Sequence, residues 1–305
     1  MLPERDDEAK CGSRIADRKC CEYKWAMNYK DDILQHLNCG KPRLSFIDYN
    51  AASAEFPHMA AVGWMLKDPN SKDDQNIEKK YKFKCSGSLI SSKFVLTSAH
   101  CLYTNNIRME PHIVRLGTVN IDEGDDYNIQ DIEIEKLIHH PEYLPTQPYH
   151  DIALLKLKSK VSFSRKIHPA CISTTLGTAR FTKVNVTGWK IKDTKEISGY
   201  VQQSTVNMIK YQECRTKLKD HETWRDLQRH QLCAVRDGRN VWQGDPGSPM
   251  QIRIDTKSGF MHSVIGVTSM SHLNRSDDVP SVYTSVSSVL SWIEQTVWPK
   301  DESTS

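Results

Sequence analysis

Short apolar runs separated by polar breaks extend along the chain from about residue 55 towards its C-terminal region. Five of them are rich in Val, Ile, Leu and Thr: Met59–Leu66, Ser88–Ser98, Asp151–Leu157, Val184–Trp189 and Val264–Met270. Many short strands bounded by turn residues are typical of an all-β sandwich or barrel. The pattern therefore predicts an all-β fold for most of the chain.

Two segments have helical spacing instead. Residues 286–298 carry apolar side chains four positions apart and predict a terminal amphipathic helix. Residues 22–37 carry Trp25, Tyr29 and Ile33 at the same spacing and predict a short helix. The insert 68–80 is polar, and we expect it to form a surface loop.

Composition excludes several classes of function. The chain has 305 residues, a net charge of +3 and a pI near 8.3, which gives no electrostatic argument for nucleic-acid binding. No stretch approaches the ~18 consecutive apolar residues of a membrane-spanning helix. Nine cysteines occur without two C-x-x-C pairs, so a structural zinc site is not predicted. The N-terminal MLPERDDEAK has no apolar core of a secretory signal, which conflicts with a disulfide interpretation of the cysteines.

Three segments in order are specific: FVLTSAHC ending at Cys101, HDIALLKL with Asp151, and WQGDPGSPM starting at Trp242. Together they resemble the chymotrypsin/trypsin family of serine proteases, over about Phe56 to Trp298. EFPHMAAVGW and SWIEQTVW are most similar to the snake-like, clip-domain proteases of arthropod cascades. The resemblance implies two antiparallel six-stranded β-barrels, with a C-terminal α-helix and a short cysteine-containing segment before them.

The resemblance also implies boundaries and roles. We expect an N-terminal segment or linker at 1–44 and a protease-like domain at 45–300, with barrels at about 45–160 and 161–285 and the helix at about 286–298. In such a site a serine attacks the scissile carbonyl, a histidine accepts its proton, and an aspartate orients the imidazole. By motif match, His100 is the predicted base and Asp151 its partner.

The third segment departs from the family's G-D-S-G-G-P. It reads Gly244, Asp245, Pro246, Gly247, Ser248 and Pro249. The nucleophile position is therefore Pro246, which has neither a hydroxyl nor the backbone N–H that would serve as an oxyanion donor beside Gly244. Ser248 lies two residues further on, and a displaced hydroxyl is not expected to reach both the base and the scissile carbon.

Other positions deviate in the same direction. At the base of the primary specificity pocket, Asn240 stands where trypsin-like members carry aspartate, so a basic side chain would not be selected by charge pairing. Trp242 replaces a bridging cysteine, and its indole is a candidate cover for the pocket mouth. No I-V-G-G sequence follows Arg43, so the usual N-terminal partner of Asp245 is not evident. Insertion of a different hydrophobic N-terminus, released by cleavage after Arg43, stays an alternative.

The resemblance pairs Cys85 with Cys101, Cys214 with Cys233, and Cys39 with Cys171. The remaining Cys11, Cys20 and Cys21 resemble the tail of a clip domain. An incomplete N-terminus would explain both the missing first half of that domain and the missing signal. Alternatively, Cys20 or Cys21 belongs to a linker and no clip module exists.

Two further features concern the protein surface. Asn274-Arg275-Ser276 is a loop sequon and a predicted glycosylation site at Asn274. His139 and His140 adjoin a turn at Pro141 without a carboxylate at ligand spacing, so we interpret them as surface residues. No cofactor and no metal are expected.

The leading hypothesis is a secreted, catalytically inactive serine-protease homologue. Its cleft would bind a protein partner such as a cascade protease, a zymogen or a substrate, with no nucleic acid and no membrane span involved. The alternative is an active serine endopeptidase that uses an atypical site around Ser248. A third possibility is a decayed product without a selected function.

Overall fold

The computed structural model describes most of the chain. The described residues are 12–24, 55–65, 81–102, 110–122, 129–174, 182–192, 194, 196–220, 224, 226–236, 244–256, 259–270 and 279–299. The predicted boundary between 44 and 45 and the insert 68–80 lie outside these residues. The boundary stays a prediction.

Six strands close the first barrel in the order β1-β2-β3-β6-β5-β4. They are β1 Met59–Met65, β2 Tyr81–Ser91, β3 Phe94–Thr97, β4 Ile113–Leu116, β5 Gln130–His139 and β6 Ala153–Leu157. All neighbours pair antiparallel. Branched aliphatic residues such as Val62, Leu89 and Leu155 fill the barrel interior and are fully buried. This explains the short, almost continuous apolar runs of β1, β3 and β6.

Seven strands form the second sheet. They are β7 Cys171–Ile172, β8 Lys183–Ile191, β9 Ile197–Ile209, β10 Gln231–Arg236, β11 Pro249–Thr256, β12 Gly259–Met270 and β13 Ser281–Ser285. The order is β11-β8-β9-β10-β13-β12-β7, and an additional β11–β12 pairing closes six strands into a second barrel. The two-residue β7 adds parallel to β12. The all-β prediction with two six-stranded barrels is confirmed.

Helices lie outside the barrels. Residues 15–24 form α1, Tyr211–Leu218 form α2, and Leu290–Val297 form α3, which a 3₁₀ turn at Ser287–Val289 precedes. The predicted terminal helix is present as α3. Of the predicted helix 22–37 only residues 22–24 are described, and they belong to a helix that begins earlier, at residue 15. Within the described residues, no helix is long and apolar enough to cross a bilayer.

Three disulfide bonds join described residues. Cys85–Cys101 and Cys214–Cys233 have the pairings that the sequence resemblance implies. Cys171, however, is bonded to Cys20 of α1, 151 positions away. The predicted Cys39–Cys171 pair is therefore wrong, since the tether is formed by the helix; Cys39 itself lies outside the described residues.

Candidate functional site

His100 and Asp151 come together where the first barrel faces the second. His100 lies in a 3₁₀ turn at Ala99–Leu102, which follows β3 and is linked to β2 by the Cys85–Cys101 bond. Asp151 lies just before β6, the strand that pairs with β3. Two adjacent strands and one disulfide bond thus bring residues 51 positions apart into contact.

The two side chains share a charge-assisted hydrogen bond. His100 Nδ1 lies 2.7 Å from Asp151 Oδ2, and the backbone N–H of His100 donates to Oδ1 at 2.8 Å. Bidentate contact of this kind fixes the ring plane and places the proton on Nδ1. The His100 side chain keeps 38% of its surface exposed, whereas the Asp151 side chain keeps 5%.

Two residues that the sequence did not indicate hold Asp151 in place. The hydroxyl of Ser269, in β12, donates to Asp151 Oδ2. The hydroxyl of Thr284, in β13, donates to the Asp151 backbone carbonyl at 3.0 Å. Both belong to the second barrel, so the sequence offered no local signal that they would contact a residue before β6.

These contacts shift both ionisation equilibria. Burial alone raises the pKa of Asp151, but the attraction of His100 and the hydrogen bonds from His100 and Ser269 outweigh it and lower the pKa below its usual range. Burial alone lowers the pKa of His100, and the charge of Asp151 reverses that effect and raises it. The contacts with Asp151 therefore favour the protonated form of the His100 imidazole.

The loop 244–248 packs against β2 and against the end of β3, the strand that leads to the turn carrying His100. Pro246, predicted at the nucleophile position, accepts a hydrogen bond at its carbonyl from Ser86 N at 2.9 Å. A Cβ on Gly247 would overlap Thr97 and the Ser86 carbonyl, and Gly247 adopts φ 79°. Glycine is therefore required for this close approach to the strand that leads to His100.

The donors after Pro246 point into the protein. Gly247 N donates to the Thr268 carbonyl at 3.0 Å, and Ser248 N donates to the Asp245 carbonyl at 3.0 Å. Ser248 is fully buried, with Oγ 2.8 Å from Thr268 Oγ1. Pro246 therefore has no N–H to donate, and the N–H groups of Gly247 and Ser248 are occupied by backbone carbonyls inside the protein.

Asp245 has a buried carboxyl group between the barrels. Ser86 Oγ of β2 donates to Oδ2, and Trp189 N of β8 donates to Oδ1 at 3.2 Å. Burial raises the pKa of this group to about 7, although both hydrogen bonds oppose the shift. Within the described part of the chain, no basic side chain forms an ion pair with it.

A sequence model of the trypsin family, described as Trypsin, matches residues 51–293. The chain belongs to the trypsin family. It is 34% identical over 244 residues to serine protease snk of Drosophila melanogaster, covering 79% of this chain and 54% of that one. It is 30% identical over 241 residues to the Spaetzle-processing enzyme of the same fly, covering 72% and 60%.

A third relative is the CLIP domain-containing serine protease B4 of Anopheles gambiae. It is 28% identical over 312 residues, with 95% of this chain and 81% of that protein covered. The predicted resemblance to snake-like and clip-domain proteases of the trypsin family is thus confirmed. The chain spans little more than half the length of snk and of the Spaetzle-processing enzyme.

Several predicted site residues of this trypsin-family chain lie outside the described residues. They are Arg43 at the predicted cleavage position, Asn240 and Trp242 at the specificity pocket, and the sequon residue Asn274. Their predicted roles remain predictions.

The structure corrects the interpretation of His140. Its side chain is buried, not on the surface, since the residue is only 8% exposed. The ring stacks 4.8 Å from that of His150, and the carboxylate of Glu142 lies 3.0 Å from His150 Nε2. The expected absence of a nearby carboxylate is therefore wrong, because the turn after His140 brings Glu142 back towards the rings.

Proposed function

We propose that this trypsin-family chain is a non-catalytic protease homologue that binds protein partners in an extracellular proteolytic cascade. The observation that carries the proposal is Pro246 at the predicted nucleophile position, in the loop that packs against β2 and the end of β3. A proline there supplies neither an attacking hydroxyl nor an oxyanion-hole N–H. Loss of one oxyanion donor alone costs ~10²–10³ in turnover.

The surroundings of Ser248 support the same proposal. A nucleophile must contact both the base and the substrate, and Ser248 is fully buried with its hydroxyl on Thr268. The N–H groups of Gly247 and Ser248 are bonded to internal carbonyls. Activity through Ser248 would require this loop to be rebuilt.

Binding to proteins is the function that such a domain retains. The His100 side chain is 38% exposed, so it is available for contact with a bound polypeptide. By its name, the relative called the Spaetzle-processing enzyme acts on another protein. Disulfide bonds within the barrels and to α1 are typical of proteins in oxidising compartments, which supports an extracellular location.

The test is covalent labelling. The oxidised protein is treated with a trypsin-like activating protease, then with a fluorophosphonate probe, and its intact mass is measured beside active trypsin. We expect no adduct on this chain and full labelling of trypsin. An adduct that disappears in the Ser248→Ala variant would contradict the proposal and identify an unusual working serine.

A second measurement distinguishes a single catalytic defect at Pro246 from several independent defects. In the Pro246→Ser variant we expect no robust peptide hydrolysis, because the predicted pocket residues Asn240 and Trp242 and the activation segment also deviate. Turnover approaching that of trypsin would show that the proline is the only defect, and that the remaining machinery is intact.

A further inference from the structure

A turn between β5 and β6 gathers three potential metal ligands. The backbone N–H of His140 donates to the Ile152 carbonyl at 3.0 Å, so the two ends of the 140–152 excursion are joined. Tyr143 N then donates to the His140 carbonyl at 3.0 Å, which folds Glu142 back over the turn. His150 returns at the other end, beside His140.

The donor atoms of this turn converge. One ligand atom from each of His140, Glu142 and His150 lies within 4.8 Å of the other two. His150 Nε2 and Glu142 Oε2 are 3.0 Å apart, and the two imidazole rings are nearly parallel at 4.8 Å. Two imidazoles and one carboxylate form a ligand set that zinc uses in proteins.

We infer that His140, Glu142 and His150 form a binding site for a divalent transition metal of the zinc class. Three protein ligands leave a fourth tetrahedral position for water. The inference does not depend on whether the chain cleaves peptides, since none of the three residues belongs to the His100–Asp151 pair.

Neighbouring groups fix the positions of the histidine rings before any metal binds. His150 adopts φ 51°, a left-handed conformation that non-glycine residues seldom adopt, and its ring stacks on that of His140. His230 stacks on the other face of His150 at 4.0 Å, and its Nε2 accepts the His150 backbone N–H at 3.2 Å. The edge of Trp292 packs against His140 at 5.1 Å.

The carboxylate is the adjustable ligand. Bonds of about 2.0–2.2 Å to zinc place neighbouring donor atoms roughly 3.3 Å apart, so the widest separation in the cluster must shorten. The Glu142 side chain is 67% exposed and can rotate, whereas the His150 side chain is 22% exposed and packed between rings. Glu142 Oε2 is already 3.0 Å from His150 Nε2, so the separations that remain to shorten are those to His140.

The experiment is calorimetric titration of the full-length, oxidised, metal-free protein with Zn²⁺, repeated with Co²⁺ while the visible spectrum is recorded. We expect one ion per chain at this site and Co²⁺ absorption typical of four-coordination. Glu142→Gln and His150→Asn each remove a ligand. Each should weaken binding by more than the ~10–100-fold that changes in outer-shell groups cost.

Matched variants keep the test specific. Glu135→Gln removes an exposed carboxylate on β5 that pairs with Lys156, and His139→Asn removes the neighbouring imidazole. Both should bind Zn²⁺ as the parent protein does. Glu142 is exposed, so its variant is expected to keep the parent's melting temperature. Absence of binding in the parent, or equal binding in Glu142→Gln and His150→Asn, would overturn the inference.

Discussion

At the scale of single residues, Asp245 is a carboxyl group held away from solvent. Its carboxyl group is fully buried and receives hydrogen bonds from Ser86 and Trp189, while no basic group among the described residues neutralises it. An unpaired buried carboxylate favours its protonated form, which accounts for the pKa of about 7. Trypsin-family members pair this position with a new N-terminus, which the sequence around Arg43 does not supply in its usual form.

We predict that Asp245 makes stability fall as pH rises. Its pKa is near 3.8 in the unfolded chain and about 7 in the fold, so folding takes up a proton between these values. The stabilisation is complete below about pH 4 and is lost as pH rises through 7, on the order of 4 kcal/mol in total. Urea unfolding from pH 4 to 8 should show a smaller fall in stability for Asp245→Asn than for the parent protein, because the variant lacks the contribution of this carboxyl.

Asp220 offers the control, because its side chain is 89% exposed. Asp220→Asn should keep the parent's pH profile. A parent and an Asp245→Asn variant with parallel profiles would mean that the carboxyl is ionised in the fold and compensated by another group.

Residues that carry the site differ in how far the sequence reveals them. His100 and Asp151 lie in local motifs, so their contact could be predicted from the sequence alone. Ser269, Thr284 and Ser86 could not, because each contacts the site across a barrel boundary and none stands in a motif of its own. A hydroxyl donor to a buried carboxylate is visible only once the strands are in register.

At the scale of elements, helix α1 is fastened to the second barrel and to α3. Cys20 is bonded to Cys171, and Asp17 accepts a hydrogen bond from Thr174 at 2.7 Å. Glu294 of α3 accepts the backbone N–H of Ala16 at 3.0 Å and pairs with Arg14 at 2.7 Å. The Glu294 carboxylate satisfies an N–H that the first turn of a helix leaves without an intrahelical partner.

We predict that Glu294→Ala loosens α1 while the barrels stay intact. The change leaves the Ala16 N–H without its acceptor, at about 1–3 kcal/mol, and releases Arg14. In hydrogen exchange followed by mass spectrometry, peptides covering 15–24 should exchange faster than in the parent, and β-strand peptides should not. Glu213→Ala, on the exposed side of α2, is the matched control. Unchanged exchange at 15–24 would show that the disulfide bond alone fixes the helix.

The sequence predicts those strands and helices whose apolar pattern is set by neighbouring residues. The five apolar runs fall in strands because both barrels bury branched side chains at short intervals, and α3 has a clear apolar spacing. The partner of Cys171 was not predictable, since spacing does not determine disulfide connectivity. The histidine cluster was missed for a similar reason: His140 and His150 are ten positions apart, and only the β5–β6 turn brings them together.

At the scale of the whole molecule, the two barrels share their interior contacts. One apolar cluster combines Leu96 and Ile152 of the first barrel with Val264 and Val267 of the second and Ile293 of α3. Polar contacts cross at the same place, since Asp245 bonds to Ser86 and Trp189, and Thr284 bonds to the Asp151 carbonyl. The His100–Asp151 arrangement therefore exists only while both barrels are folded and joined.

We predict that the protein unfolds in one calorimetric transition, in spite of having two barrels. Separate transitions require each barrel to keep its own core after the other has melted. Here that would expose the shared cluster and the buried carboxyl of Asp245.

Leu155→Ala perturbs only the first barrel's core, and Val186→Ala only that of the second. Leu155→Ala should cost about 2–5 kcal/mol. Both variants should lower the temperature of the same single peak, with calorimetric and van't Hoff enthalpies in agreement. If Leu155→Ala instead splits the thermogram, with the later peak unmoved, the second barrel is stable alone and the shared cluster does not couple them.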